Sequence, residues 1–224
     1  MTISLDHVFI CCEPGGPEAE ALQDIGLIEG TSNVHPGQGT ANRRFFFHGG
    51  FIELLWVHDP EKANSGLTSP TRLWPRWMNR KNGVCPFGVA FGHLGSETPA
   101  PPFDVWTYRP TYLPANKEIL FAQGTTLAEP ELFYLAWPNP QSSSEAQRRD
   151  HPNRMLRLES ASIGLPLGVS LSAPSLAVKS AGLLNFHTAD RYEVMLSFSG
   201  TDDSVFDLRP SLPLLLSTAR SAAS

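Results

Sequence analysis

The chain has 224 residues, 17 basic and 22 acidic, for a formal net charge of -5. That length gives one large domain or two small fused ones, with a core that needs no disulfide or zinc staple. The acidic balance argues against a nucleic-acid partner, which normally meets a basic face, and 41% hydrophobic residues exclude disorder.

Eighteen glycines and 20 prolines exceed the usual combined share of about 12%, which predicts many turns and more strand than helix. No apolar run of about 18 residues is present, so no membrane partner is expected. Residues 1–12 lack the basic start and small-residue cleavage site of a secretory leader. Cys11, Cys12 and Cys85 are too few and too irregularly spaced for a disulfide framework or a zinc site. A reducing, cytoplasmic location is the expectation. The basic cluster Arg72, Arg76, Arg80 and Lys81 reads as a solvated loop.

In chain order, Ile3 to Cys12 is apolar and β-branched and ends at Glu13-Pro14-Gly15-Gly16, which predicts a strand and a turn. Pro17 to Ile25 predicts a helix, with proline in the first turn and Gly26 as its stop. Arg44–Phe47 and Phe51–Val57 predict two strands joined by the tight hairpin His48-Gly49-Gly50. His58 to Val84 reads as a long loop with Leu73, Trp74, Trp77 and Met78 as anchors. Strands follow at 87–91, 106–113, 118–122 and 132–137, without a helix after the first. Gln141 to Asp150 reads as an exposed linker. The last group predicts a strand at 156–163, a helix at 174–181, a hairpin from Leu183–His187 to Arg191–Ser199, and an extended run at 205–216.

Several segments together carry a resemblance. They are Leu5-Asp6-His7-Val8-Phe9, His35-Pro36-Gly37-Gln38-Gly39-Thr40-Ala41-Asn42-Arg43, Phe51-Ile52-Glu53-Leu54-Leu55-Trp56, and Leu132–Trp137 followed by His151-Pro152-Asn153. Pro86–Ala90 and Asp207-Leu208-Arg209-Pro210 are in keeping. The sequence resembles the glyoxalase-like domain family of the vicinal oxygen chelate superfamily, to which glyoxalase I and the extradiol dioxygenases belong. The resemblance implies an α+β fold of repeated βαβββ modules whose curved mixed sheets surround a cleft. Residues 1–224 would form a single unit: a first module at 1–57, the long loop at 58–84, a degenerate second module at 85–138, a third βαβββ-like group at 155–217 and a flexible tail at 218–224.

In metal-dependent members a first-strand His and a last-strand Glu supply ligands, and His7 and Glu53 stand at those places. The pair suits Fe, Mn, Ni or Zn, and a metal-free site is the alternative. Gly88 stands about where the second module would carry its first-strand ligand, Tyr134 to Ala136 where it would carry a carboxylate, and Ser160 at the comparable place in the third group. None is a good ligand, so His35, His93 or His151 would have to fill in.

Glu53 lies in an apolar run, where an unpaired carboxylate is costly to bury. It binds a cation, pairs with an arginine such as Arg44, or points to solvent from the alternate strand face; Glu53 and His7 are the candidate catalytic residues, Glu53 as the general base. His35, Asn42, Arg44, Trp56, Tyr108 and Arg109 are the candidate substrate-binding residues, with Arg44 or Arg109 suited to clamp a carboxylate. Two functions follow. One is a metal-dependent lyase, isomerase or dioxygenase acting on a small oxygen-rich substrate. The other is a metal-free protein that binds or sequesters a small molecule in an aromatic cleft. Pairing of modules across a homodimer is a further expectation from the resemblance.

Overall fold

The computed structural model describes residues 2–95, 98–138 and 147–220. The first segment folds as β1 (Ile3–Cys11), α1 (Ala19–Asp24), β2 (Asn33–His35), β3 (Thr40–Phe47) and β4 (Gly50–Val57). Helix α1 begins two residues later than proline at 17 suggests. It stops as expected, with Gly26 N–H donating to Gln23 O and Leu27 N–H to Leu22 O. The hairpin through His48-Gly49 pairs β3 with β4, Arg44 opposite Glu53.

The connection is not a plain loop. It contains α2 (Pro60–Ala63), a 3-10 turn and α3 (Leu73–Met78). Asp59 caps α2 by accepting from Lys62 N–H. The four basic residues are not a solvated patch. Arg80 and Lys81 pair with Glu13, while Arg72 and Arg76 pair with Glu131. Arg76 is completely buried, and donates to the carbonyls of Cys85 and Glu129 as well as to Glu131 Oε2. Two carbonyls and a carboxylate engage both terminal nitrogens of this buried charge.

The second segment gives β5 (Phe87–His93), β6 (Val105–Tyr108), β7 (Ile119–Ala122) and β8 (Glu131–Leu135). The first eight strands make one sheet in the order β2-β3-β4-β1-β5-β8-β7-β6. The central pair β1–β5 is antiparallel, and each is flanked by a parallel partner, β4 and β8. One module therefore occupies each half of the sheet, the second without its helix.

The expected linker at 141–150 falls partly at 141–146, outside the described residues. Beyond it come β9 (Met155–Pro166), α4 (Ala173–Ser180), β10 (Asn185–Ala189), β11 (Glu193–Gly200), β12 (Ser204–Asp207) and β13 (Leu214–Arg220). The predicted hairpin between β10 and β11 does not form. Both strands flank β9 instead, β10 parallel and β11 antiparallel, because β9 is long and apolar enough to take a partner on each edge. The sheet order is β10-β9-β11-β13-β12, with β13 parallel to β11 and antiparallel to β12. This repeats the order and directions of β4-β1-β5-β8-β7. The C-terminal group is thus two shortened modules rather than one βαβββ unit. Residues 218–220, expected in a flexible tail, complete β13 against Ser199 and Gly200; 221–224 lie outside the described residues.

One face of the larger sheet packs on the smaller through Val8, Ile10, Phe45, Phe47, Ile52 and Leu54, met by Leu158, Ile163, Leu196, Phe198 and Leu216. The other face carries a second cluster that includes Phe9, Leu55, Phe121, Phe133 and Leu135. The period of two along each strand thus separates core residues from the opposite face. The three cysteines are buried and free. Burial pushes the thiols of Cys11 and Cys85 up to about 12, away from thiolate chemistry.

Candidate functional site

The second face holds a half-open cleft of about 160 Å3. His7 and Phe9 of β1, Asn42 and Arg44 of β3, and Phe51, Glu53 and Leu55 of β4 line one side. His35 and Gln38 close its end, and Ile119, Phe121, Phe133, Leu135 and Trp137 line the other side, with Leu73, Tyr112 and Leu113.

His7 is aimed by a local irregularity. The β1–β5 register shifts between Leu5 and His7, leaving Asp6 as the extra residue of a bulge. Adjacent strand residues normally face opposite ways, and a bulge re-aims them. Here Nδ1 of His7 donates to Asp6 Oδ1 at 2.7 Å while Nε2 faces Glu53 Oε2 at 3.4 Å. The imidazole stacks on Phe51, centroids 4.3 Å apart, and meets the edge of Phe133. Glu53 Oε1 accepts from Asn42 Nδ2 at 2.5 Å. Asn33 N–H donates to Asn42 Oδ1 at 2.7 Å, which fixes the amide so that its NH2 points at the carboxylate. Asp6, His7, Glu53 and Asn42 thus form one polar chain set in a wall of aromatic carbon.

A second polar group stands at the cleft end. Gln38 Nε2 donates to Thr40 Oγ1, which also meets His35 Nδ1, both at 2.8 Å. Burial lowers the pKa of His35 and raises that of Tyr112, keeping both neutral. Tyr112 then donates to Gln38 Oε1 at 3.2 Å. The turn that brings Gln38 inward needs glycine. Gly39 has φ +77°, and a Cβ there would sit 2.3 Å from Asp59 O, because the turn is pressed on the start of the connection, where His58 and Asp59 N–H both donate to Gly39 O.

Of the sequence-predicted residues, the structure brings His7, Glu53, His35, Asn42 and Arg44 to the cleft. Three lie elsewhere. Trp56 alternates with Glu53 and Leu55 onto the opposite face, where it packs against the main core. Tyr108 is buried beside Trp106 and Phe121, behind the wall rather than on it. Arg109 is exposed and pairs with Glu118 at 2.5 Å. His93 is buried on β5, and His151 bridges Ile28 N–H and Phe46 O on the core side, so neither joins His7. Sequence reading missed Gln38, which sits on a turn without periodicity, while Tyr112, one of the aromatics it offers as pocket-lining, does line the cleft. It also missed the Phe121–Phe133–Leu135 wall, although the alternation Phe133, Leu135 pointed to one face.

The donor set does not fit a resident divalent ion. Val8 and Val89 pair at the centre of the β1–β5 ladder. A two-fold through that pair carries His7 onto Gly88. It carries Glu53, opposite Phe9, onto Phe133, opposite Ala90. The register therefore puts Phe133, not Tyr134 to Ala136, at the carboxylate place. Gly88 has no room for a ligand: a Cβ there would lie 2.1 Å from Phe9 Cε1. Carbon fills the second half of the centre, and among the described residues no group of three or more His, Cys, Asp and Glu side chains could hold a metal. Protein sites for such ions supply three or four donors.

Residues 5–167 match the family model described as a glyoxalase-like domain. A search of curated proteins found no match. Among solved structures, a hypothetical protein from Staphylococcus aureus superposes with a TM-score of 0.55 at 10% identity, covering 99% of this chain and 100% of that one. A methylmalonyl-CoA epimerase from Mycobacterium tuberculosis gives 0.36 at 17% identity, covering 62% of this chain and 89% of the other. A fusion of a xylose isomerase-like TIM barrel with 4-hydroxyphenylpyruvate dioxygenase gives 0.48 at 11% identity, covering 89% and 36%. No helix of the described residues is long and apolar enough to cross a membrane.

Proposed function

The chain belongs to the glyoxalase-like domain family, and from that premise we propose that its cleft performs proton transfer on a small carbonyl compound without a resident metal. The observation that carries this reading is Nε2 of His7 facing Glu53 Oε2 at 3.4 Å while its Nδ1 is held by Asp6. Glu53 Oε2 removes a proton from carbon next to the carbonyl. The Nε2–H of His7 donates to the oxygen on which charge develops. Returned to the same carbon, the proton on Glu53 gives only hydrogen exchange; delivered to the former carbonyl carbon of an α-hydroxy carbonyl substrate, while His7 takes the proton of the other enediol hydroxyl, it gives an isomer. General acid–base groups of this kind contribute about 10²–10⁴-fold, and the aromatic surround strengthens each interaction by excluding water. The reading supports an isomerase, or a lyase where a leaving group stands beside the carbanion.

Hydrogen–deuterium exchange at the α-carbon of phenylacetaldehyde and phenylpyruvate, followed by NMR in deuterium oxide, tests it. Wild type accelerates exchange and Glu53→Gln loses at least about 100-fold. Equal rates for the two overturn the catalytic role. The carbon wall of Phe121, Phe133, Leu135 and Trp137 favours the second reading, a binding or sequestration protein, in which Glu53→Gln leaves ligand affinity nearly unchanged and no exchange occurs.

A further inference from the structure

Arg44 is an arginine with unused bonding capacity at the cleft. Its neighbour Arg43 points to the other face and holds Glu29 through Nε and Nη2. Arg72, Arg76, Arg80 and Arg109 are each taken by a carboxylate. Arg44 lines the cleft, and among the described residues no carboxylate comes within ion-pair distance of it. It stands directly opposite Glu53 across the β3–β4 ladder, so the two side chains share a face at about 5 Å between Cβ atoms. They do not pair, because Asn42 and His7 already engage Glu53.

The guanidinium is held in place. Nε donates to Thr31 O at 2.8 Å and Nη2 to Thr31 Oγ1 at 3.0 Å. Its plane lies over Phe46 and Phe51, 5.1 and 5.9 Å from the ring centroids. One edge of the fork is spent on Thr31. The edge formed by Nη1 and the second Nη2 hydrogen is not, and that edge has the spacing of a carboxylate. Burial lowers the pKa of Arg44, and the nearby charge of Glu53 offsets that only in part. At the far rim Lys117 sits over Trp137 at 5.1 Å, also without an ion pair among the described residues. Both rim cations would draw an anion inward.

We propose that Arg44 anchors the carboxylate of the ligand, so that the cleft selects small organic monoanions with an apolar body over their neutral analogues. This rests on the reading of the cleft as a small-molecule site. A cavity of about 150 Å3 holds benzene, so a body of that size fits the 160 Å3 here. The carbon next to an anchored carboxylate falls beside Glu53, which the cross-strand pairing sets next to Arg44.

Isothermal titration with phenylacetate and isovalerate, against phenylacetamide and isovaleramide, tests the assignment on the full chain. Wild type binds each acid at least about 10-fold tighter than its amide, a charge-assisted bidentate pair being the difference. Arg44→Met abolishes that preference and keeps amide binding. Arg44→Lys retains part of it, since a lysine lacks the fork. Glu53→Gln keeps it. Equal affinity for acid and amide in wild type, a preference that survives Arg44→Met, or no binding of either acid at roughly 10 mM each overturns the proposal. Circular dichroism melting of both Arg44 variants separates lost binding from lost fold. The exchange experiment fails independently: an Arg44-dependent preference without Glu53-dependent exchange keeps the anion site and removes the catalytic reading.

Discussion

The two halves of the larger sheet share one strand plan and differ in what they present to the cleft. On the first half, β1, β3 and β4 offer His7, Asn42, Arg44 and Glu53. On the second, β7 and β8 offer Ile119, Phe121, Phe133 and Leu135. Each half has a glutamate on its last strand, but the two have opposite surroundings. Glu131, two residues before Phe133 and so on the same face, is consumed by Arg72 and Arg76. Among the described residues Glu53 meets an imidazole and an amide. A carboxylate matched by two guanidiniums is a structural tie. On the proposed reading, the second half is scaffold and the first half carries the chemistry.

The largest way to break this contrast is to strip the scaffold. Glu131→Ala leaves Arg76 buried without its carboxylate and should cost about 3–5 kcal/mol in urea unfolding. Replacing the pair together, Glu131→Leu with Arg76→Met, should recover most of that loss. Phe133→Ala should cost a similar 3–5 kcal/mol, and should also weaken phenylacetate binding more than isovalerate binding, because the removed ring faces the aromatic body. Asn42→Ala should cost less, about 1–3 kcal/mol, and should slow α-carbon exchange without abolishing it, since Glu53 loses an orienting donor but keeps His7.

A smaller effect comes from the core side of the first half. His151 Nδ1 accepts from Ile28 N–H and Nε2 donates to Phe46 O, and burial lowers its pKa. Its neutral form is the one that fits. The stabilisation is complete above the unfolded value of about 6.5 and is lost as pH falls through that value toward the lower folded one. Melting temperature should therefore decline between about pH 7 and 5, and His151→Gln should flatten the decline. Arg109→Ala, at an exposed pair, should change neither stability nor ligand binding measurably.

Strands with alternating or β-branched character, and the hairpin at His48-Gly49, were legible from sequence because local pattern decides them. The helices of the connection were less so: Leu73, Trp74 and Trp77 read as anchors of a loop, since α3 is only six residues long and is held by Arg76 reaching Glu131 from far along the chain. The pairing of β10 with β9 was not legible, because nothing local separates a hairpin from two strands that share a third. His7 and Glu53 could be placed through family likeness. Their relation to Asp6 could not, since a bulge leaves no mark in composition. Trp56 was misassigned to the cleft by nearness to Glu53, although an odd offset along a strand puts it on the opposite face.

The contact between Phe9 and Gly88 also orders the mutational routes open to this cleft. A side chain at position 88 would run into the Phe9 ring at 2.1 Å, so no donor can be gained there first. Phe9 must shrink beforehand, at about 3–5 kcal/mol if cut to alanine, a large part of what a domain has in reserve. Any route to a donor at this position would thus pass through a less stable intermediate.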